Sequence, residues 1–385
     1  MHQTILEINK ENLIYNVLFF KNKLRKNTKL LAVVKANAYG SDAVLVSKTI
    51  EPYVDYFAVA YTKEGLELTK NNITKPILVL HAQPENYLQI IKNNLEPNIY
   101  SFKGLKEFIR IISFQNAYNY PIHLKFNTGL NRIGFKPKDI PTILNLLNTT
   151  NTVKIKSVLS HLVASEDLNE REFTLQQINA FKKIKNTFNK SLNYKPIYHL
   201  LNTSGVVNYP QAQFNMVRIG IGMLGFANDK NTTSKLKNVL TLKSKISQIH
   251  SLKKGESIGY NRAYYLNKDG KTATIPIGHA DGISRKLGNK NGFVYVNNKK
   301  TQIIGNVCMD MIMIDVSDIK CNENDLVTLF KSQEDIMEIC NKLQTIPYEF
   351  FTMLSHRIKR KLIIKKKLYI CTIINEKREN YVKRI

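Results

Sequence analysis

The chain has 385 residues, of which 43% are hydrophobic and 23% charged, and its formal net charge is +27. This length exceeds what a single ordinary core uses and points to two domains of ordinary globular composition. No apolar run approaches the roughly 20 residues of a bilayer span, Met1-His2-Gln3-Thr4 shows no leader pattern, and Cys308, Cys321, Cys340 and Cys371 lack zinc-ligand spacing. The expectation is a cytoplasmic protein with reduced thiols, no bound metal and no membrane partner. The positive charge has two readings. One is an anionic partner such as nucleic acid. The other is background composition, since Lys, Asn and Ile recur throughout and no nucleic-acid motif accompanies them. The second is favoured, and no nucleic-acid partner is expected.

From the start to about residue 225, apolar β-type runs alternate with helical segments. Thr4–Ile8 reads as a strand and Lys10–Leu24 as a helix. Leu30–Val34, Phe57–Ala60, Ile77–Leu80, Asn98–Tyr100, Ile122–Phe126, Ile155–Ser160 and Pro196–His199 follow as strands, with periodic stretches such as Glu166–Lys185 between them. Strands alternating with helices imply βα units and a parallel sheet. About eight such units predict a closed (β/α)8 barrel over residues 1–234, with an open doubly wound sheet as the alternative. Beyond residue 235 the pattern becomes β-rich, with Gly, Asn and Asp punctuation and one long helix at Gln333–Leu343. This predicts a second, mostly β domain over 235–361. A basic tail, 362–385, follows and is expected to have no ordered role.

Lys35 ends an apolar strand. In a barrel, strand C-termini carry the active site, and a lysine desolvated there can act as a neutral amine towards a carbonyl. A lone lysine at a strand end more often simply snorkels to solvent. Lys35, however, lies in Ala32-Val33-Val34-Lys35-Ala36-Asn37-Ala38-Tyr39-Gly40. Further motifs follow: His123-Leu124-Lys125-Phe126-Asn127-Thr128-Gly129-Leu130-Asn131-Arg132-Ile133-Gly134, Ser160-His161, and His199-Leu200-Leu201-Asn202-Thr203-Ser204. Then come Val217-Arg218-Ile219-Gly220-Ile221-Gly222, Glu256-Ser257-Ile258-Gly259-Tyr260-Asn261, Ile277-Gly278-His279-Ala280-Asp281-Gly282, Val307-Cys308-Met309-Asp310 and Thr345-Ile346-Pro347-Tyr348-Glu349.

Together these motifs resemble the alanine racemase family, through residue 361 or so. The resemblance implies a barrel that binds pyridoxal 5′-phosphate (PLP) and a C-terminal β domain. It implies that Lys35 holds the cofactor covalently, while Tyr39, Tyr348, Thr203 or Ser204 and the backbone of Gly220 and Ile221 surround the phosphate, and that Asn202 also belongs to the cofactor-binding set. His161 and His199 lie around the ring, and Arg218 faces its pyridine nitrogen. Arg132 and the Met309 backbone receive the substrate carboxylate, with Lys125, Arg285 and Asp310 in support. Racemisation needs a base on each face of the α-carbon; the resemblance assigns these roles to Lys35 and to Tyr260, the latter reaching the site of the other subunit of a homodimer. A phenol ionises only around pH ~10, so such a base needs nearby cations, a place that Arg285 fills. The implied activity is L- to D-alanine interconversion, supplying D-alanine for peptidoglycan. A related decarboxylase is disfavoured, because an arginine at the pyridine nitrogen weakens the electron sink. Two departures from the family pattern stand out. Asn127 replaces an aspartate, which puts local hydrogen bonding in question, and His279 replaces a tyrosine at the substrate entrance.

Overall fold

The computed structural model describes residues 4–115 and 117–364. Leu362 and Ile363 complete a strand, and the expected tail from residue 365 onward lies outside the described residues. Eight parallel strands close a barrel: β2 (Lys29–Val33), β3 (Tyr56–Val59), β4 (Ile77–Val79), β5 (Glu96–Ile99), β6 (Tyr120–Lys125), β7 (Val153–Leu159), β8 (Ile197–His199) and β9 (Met216–Ile219). β9 pairs back onto β2, with Leu31 opposite Arg218. Helices cover the outer faces of the strands and side chains fill the barrel interior, so the strands read as continuous apolar runs, as in Tyr56–Val59 and Ile77–Val79, where every residue is buried.

The barrel is therefore confirmed, but one strand is placed differently from the sequence expectation. β1 (Ile5–Asn9) is not a barrel stave. It sits in the second domain's nine-stranded sheet, antiparallel to β10 (Leu240–Lys245) and parallel to the strand Lys359–Ile363. The stave that replaces it is β9. The physical reason lies in the patterning: Leu6 and Ile8 are buried, whereas Ile5, Glu7 and Asn9 alternate with them at half-burial. That is a strand with one solvent-facing side, unlike a doubly covered barrel strand. The structural barrel thus begins with Lys10–Lys21, a helix capped by Asn9, whose Oδ1 accepts from the Asn12 N–H at 2.9 Å.

The remaining strands of the second domain are β11 (Gln248–Leu252), β12 (Ser257–Ile258), β13 (Tyr264–Tyr265), β14 (Gly270–Ile275), β15 (Phe293–Val296), β16 (Lys299–Ile304), β17 (Ile312–Asp315), β18 (Leu326–Phe330) and β19 (Lys359–Ile363). β12 and β13 form a short separate ribbon, and the large sheet runs β11-β14-β17-β16-β15-β18-β10-β1-β19.

The two domains meet behind the first barrel loop. Gly40 has φ +80°, and a Cβ there would lie 2.1 Å from the Phe351 carbonyl oxygen. Its own carbonyl accepts from Arg360 Nε and Nη2 at 3.1 and 2.9 Å. Gly40→Ala combines a left-handed backbone with overpacking. It is expected to cost about 2–4 kcal/mol, read by scanning calorimetry as a fall in Tm of at least several degrees.

Candidate active site

Lys35 follows β2, and the chain turns sharply after it. Ala36, Asn37, Ala38 and Tyr39 all have φ between 50° and 55°, which makes this a left-handed turn. Each such residue costs roughly 1–2 kcal/mol, so the neighbours must hold the turn. The Ala36 N–H donates to Glu64 Oε1 at 2.7 Å, the Ala43 N–H to Asn37 Oδ1 at 2.7 Å, and the Ser41 hydroxyl to the Ala38 carbonyl at 2.6 Å. Strain of this kind is characteristic of functional sites. Here it places Lys35 and Tyr39 on the same cavity.

That cavity, about 450 Å³, opens at the C-terminal end of the barrel, a volume suited to a cofactor-sized ligand. Among the described residues four cations line it, Lys35, Lys125, Arg132 and Arg218, and no Asp or Glu does. Burial and then Arg132 push the Lys35 amine below its ordinary value, against a smaller opposing pull from Glu64. Burial and then Arg218 and Arg132 push Lys125 well down, and its amine has no hydrogen-bond partner among the described residues. Arg132 sits on the rim, in a loop organised by Asn127. The Asn127 Oδ1 accepts from the Gly129 and Asn131 N–H groups at 3.1 and 3.0 Å, and its Nδ2 donates to Asn131 Oδ1 at 2.8 Å. An aspartate would accept the first two bonds but could not donate the third, so the departure at this position carries its own hydrogen bonding.

One end of the cavity is built to receive an anion. The Tyr39 and Tyr348 rings meet edge to face at 5.7 Å. Burial and the other phenol raise Tyr39, and burial pushes Tyr348 up to about 12, so both stay protonated donors. A Cβ on Gly220 would lie 2.1 Å from Tyr39 Oη; only glycine lets the phenol close over this backbone. Thr203 lines the cavity, its Oγ1 accepting from the Gly220 N–H at 3.2 Å, while the buried Ser204 is not part of the lining. Asn202 and Ile221 also line it. The Asn202 Oδ1 caps the helix Thr203–Asn208, accepting from the Gly205 N–H at 2.9 Å.

At the other end, Arg218 is held by four neighbours. Nη1 donates to His199 Nδ1 at 2.9 Å and to the His199 carbonyl at 3.2 Å. Nη2 donates to the Ser160 and Leu200 carbonyls at 2.7 and 2.9 Å and to His161 Nδ1 at 3.1 Å. Burial lowers the guanidinium to about 10, which leaves it charged near neutrality. Both histidines are pushed well below their ordinary value, first by burial and then by Arg218. His161 faces the cavity, whereas His199 lies behind Arg218 and is fully buried.

The other expected site residues do not join this cavity within one chain. Tyr260 is 72% exposed, on a short turn between β12 and β13. Met309 is 59% exposed, and Arg285 and His279 are exposed as well. Asp310 pairs with Arg357 Nη2 at 2.7 Å, and Arg357 Nε pairs with Asp281 at 2.9 Å. This bridge ties the His279 loop to the Met309 loop. Sequence reasoning missed Tyr61, His81 and Asn98, which line the cavity flank; they stand outside the quoted motifs.

Family models match nearly the whole described chain: the alanine racemase N-terminal domain over residues 8–228 and the C-terminal domain over 239–362. An alanine racemase of Fusobacterium nucleatum is 38% identical, covering 94% of this chain and all of the relative. The solved alanine racemase of Clostridium difficile superposes with a TM-score of 0.89 at 32% identity, covering 95% of this chain and 97% of that one. An alanine racemase of Bartonella henselae, solved with covalently bound pyridoxal phosphate, gives a TM-score of 0.83 at 26% identity, covering 94% and 100%. The match spans both domains and every cavity motif, and the chain belongs to the alanine racemase family.

Proposed function

We propose that the protein is an alanine racemase that uses PLP to interconvert L- and D-alanine, and thereby supplies D-alanine for peptidoglycan. The observation that carries this reading is the cavity: a partly desolvated lysine, an anion-receiving end and an arginine at the far end, with no carboxylate among the described residues of the wall. The residues fit the cofactor. Protonated Tyr39 and Tyr348, Thr203 and the Gly220–Ile221 backbone would hold its phosphate, Lys35 its carbonyl carbon, and Arg218 its ring nitrogen.

When bound, the cofactor withdraws electrons from the substrate and acidifies its α-carbon proton. This chain's residues then decide what happens to that proton. An arginine, unlike a carboxylic acid, does not protonate the ring nitrogen. Charge therefore stays near the α-carbon, and proton return is favoured over transamination. Arg132 at the rim positions the substrate carboxylate, a task suited to a planar guanidinium. Lys35 exchanges the α-proton on one face. The opposite face needs Tyr260, which is exposed in its own chain. A homodimer that places it at the neighbouring cavity completes the site, with the Met309 backbone and Arg285 beside it.

The test is direct. Purified protein with PLP should show a visible absorption band from the lysine-bound cofactor, and the circular dichroism of L-alanine should decay to zero. A band without decay of the optical signal would remove the racemase reading. Arg132 offers a further check. Its charge lowers Lys35, so Arg132→Ala should raise the Lys35 pKa. Reaction of Lys35 with PLP, which needs the neutral amine, should then shift to higher pH, as followed by absorbance across a pH series.

A further inference from the structure

Arg218 is a buried cation with no carboxylate beside it, and isolating such a charge is costly. A carboxylate does lie within reach, at the end of a hydrogen-bonded chain through the barrel interior. Arg218 Nη1 contacts His199 Nδ1, and His199 Nε2 lies 2.9 Å from Ser157 Oγ. Ser157 Oγ lies 2.5 Å from His123 Nδ1, and His123 Nε2 lies 2.6 Å from Glu96 Oε2. His123, Ser157 and His199 are wholly buried, Arg218 and Glu96 nearly so.

The direction of every bond follows from the arginine end. A guanidinium cannot accept, so His199 Nδ1 must carry the lone pair. A neutral His199 then bears its proton on Nε2 and donates to Ser157 Oγ. The single proton of Ser157 has no other acceptor among the described residues, and goes to His123 Nδ1. His123 therefore bears its proton on Nε2 and donates to Glu96. All four bonds run one way, from cation to carboxylate, an arrangement in which each bond polarises the next. Around Glu96, the phenols of Tyr56 and Tyr120 are raised by burial and by its charge, and no lysine or arginine pairs with it among the described residues. At the far end, Nη1 and Nη2 are saturated by protein acceptors, and Nε–H is the one donor of Arg218 without a partner among the described residues.

We propose that Glu96 is a positioning residue for Arg218, acting through His123, Ser157 and His199. The chain fixes both imidazole tautomers and holds the guanidinium so that only Nε–H is offered to a ligand. Its consequence for catalysis rests on the racemase reading; its existence does not.

The experiment is nitrogen NMR on the full-length, PLP-loaded protein labelled with [15N]histidine, in the unsubstituted form and as Glu96→Gln and Ser157→Ala. The expected result is Nε2–H on both His123 and His199. Both substitutions should shift the His199 imidazole signals, although position 96 is two side chains away from His199. Each variant should lose on the order of tenfold in kcat with little change in KM, in line with other outer partners of catalytic groups. An Nδ1–H tautomer at either histidine overturns the proposal, and so do His199 signals that neither substitution moves, or an unchanged kcat in both variants. Should one variant fail to fold, the other carries the comparison. If the protein does not racemise alanine at all, the tautomer and signal shifts still decide the chain, so the two failures are distinguishable.

Discussion

Lys35→Ala is expected to abolish racemisation, with a loss of at least ~10⁴-fold, because one side chain both anchors the cofactor and serves one face of the α-carbon. The visible band of the lysine-bound cofactor should vanish with it. The fold should survive. Lys35 is not part of the apolar core, and the turn that follows it is held by Glu64, Asn37 and Ser41. Unfolding of the variant, followed by circular dichroism, should therefore stay within a few degrees of the parent. Retained racemisation with a normal melting curve would remove Lys35 from the chemistry.

Tyr260→Phe should give a different signature. The cofactor band should remain, since Tyr260 takes no part in the cavity of its own chain. Exchange of the α-proton of L-alanine should slow by ~10²–10⁴-fold, the usual worth of a positioned acid or base. The exposure of Tyr260 makes a sharper test available. If it serves the neighbouring subunit, a mixed dimer of Lys35→Ala and Tyr260→Phe chains contains one intact site and one doubly impaired site. Random re-association of the two inactive proteins should then restore about a quarter of parental activity. No recovery on mixing, with exchange of subunits verified by mass, would place Tyr260 outside a composite site. α-Proton exchange at the parental rate in Tyr260→Phe alone would end the two-base assignment.

What the sequence made legible follows contiguity along the chain. Lys35 and Tyr39 lie four residues apart, and Arg218 and Gly220 two apart, so the short stretches that carry them bring whole ends of the cavity with them. Glu96 and Ser157 were not legible, because each is a single polar residue on its own strand and acquires meaning only when β5, β6, β7 and β8 are laid side by side. The left-handed turn at 36–39 was hidden for another reason. Its first glycine comes only at Gly40, and neighbours hold non-glycine residues where propensity would not place them. The misplaced first strand is the most instructive case. Its partners lie at 240–245 and 359–363, beyond any local window. A local hint did exist, in Glu7 set between Leu6 and Ile8, which marks a strand wet on one side.

That same strand governs the order in which the molecule can be made. During synthesis the barrel has all its staves once residue 219 has emerged, but Ile5–Asn9 must wait for its first partner at 240–245 and, more than three hundred residues behind it, for its second at 359–363. Until the first arrives both edges of the strand are open to other chains, and until the second arrives one edge still is. A barrel expressed as residues 1–234 would carry this orphan permanently and should aggregate, whereas one beginning at Lys10 would not. The first strand made thus belongs to the domain completed last, and it sews the two together.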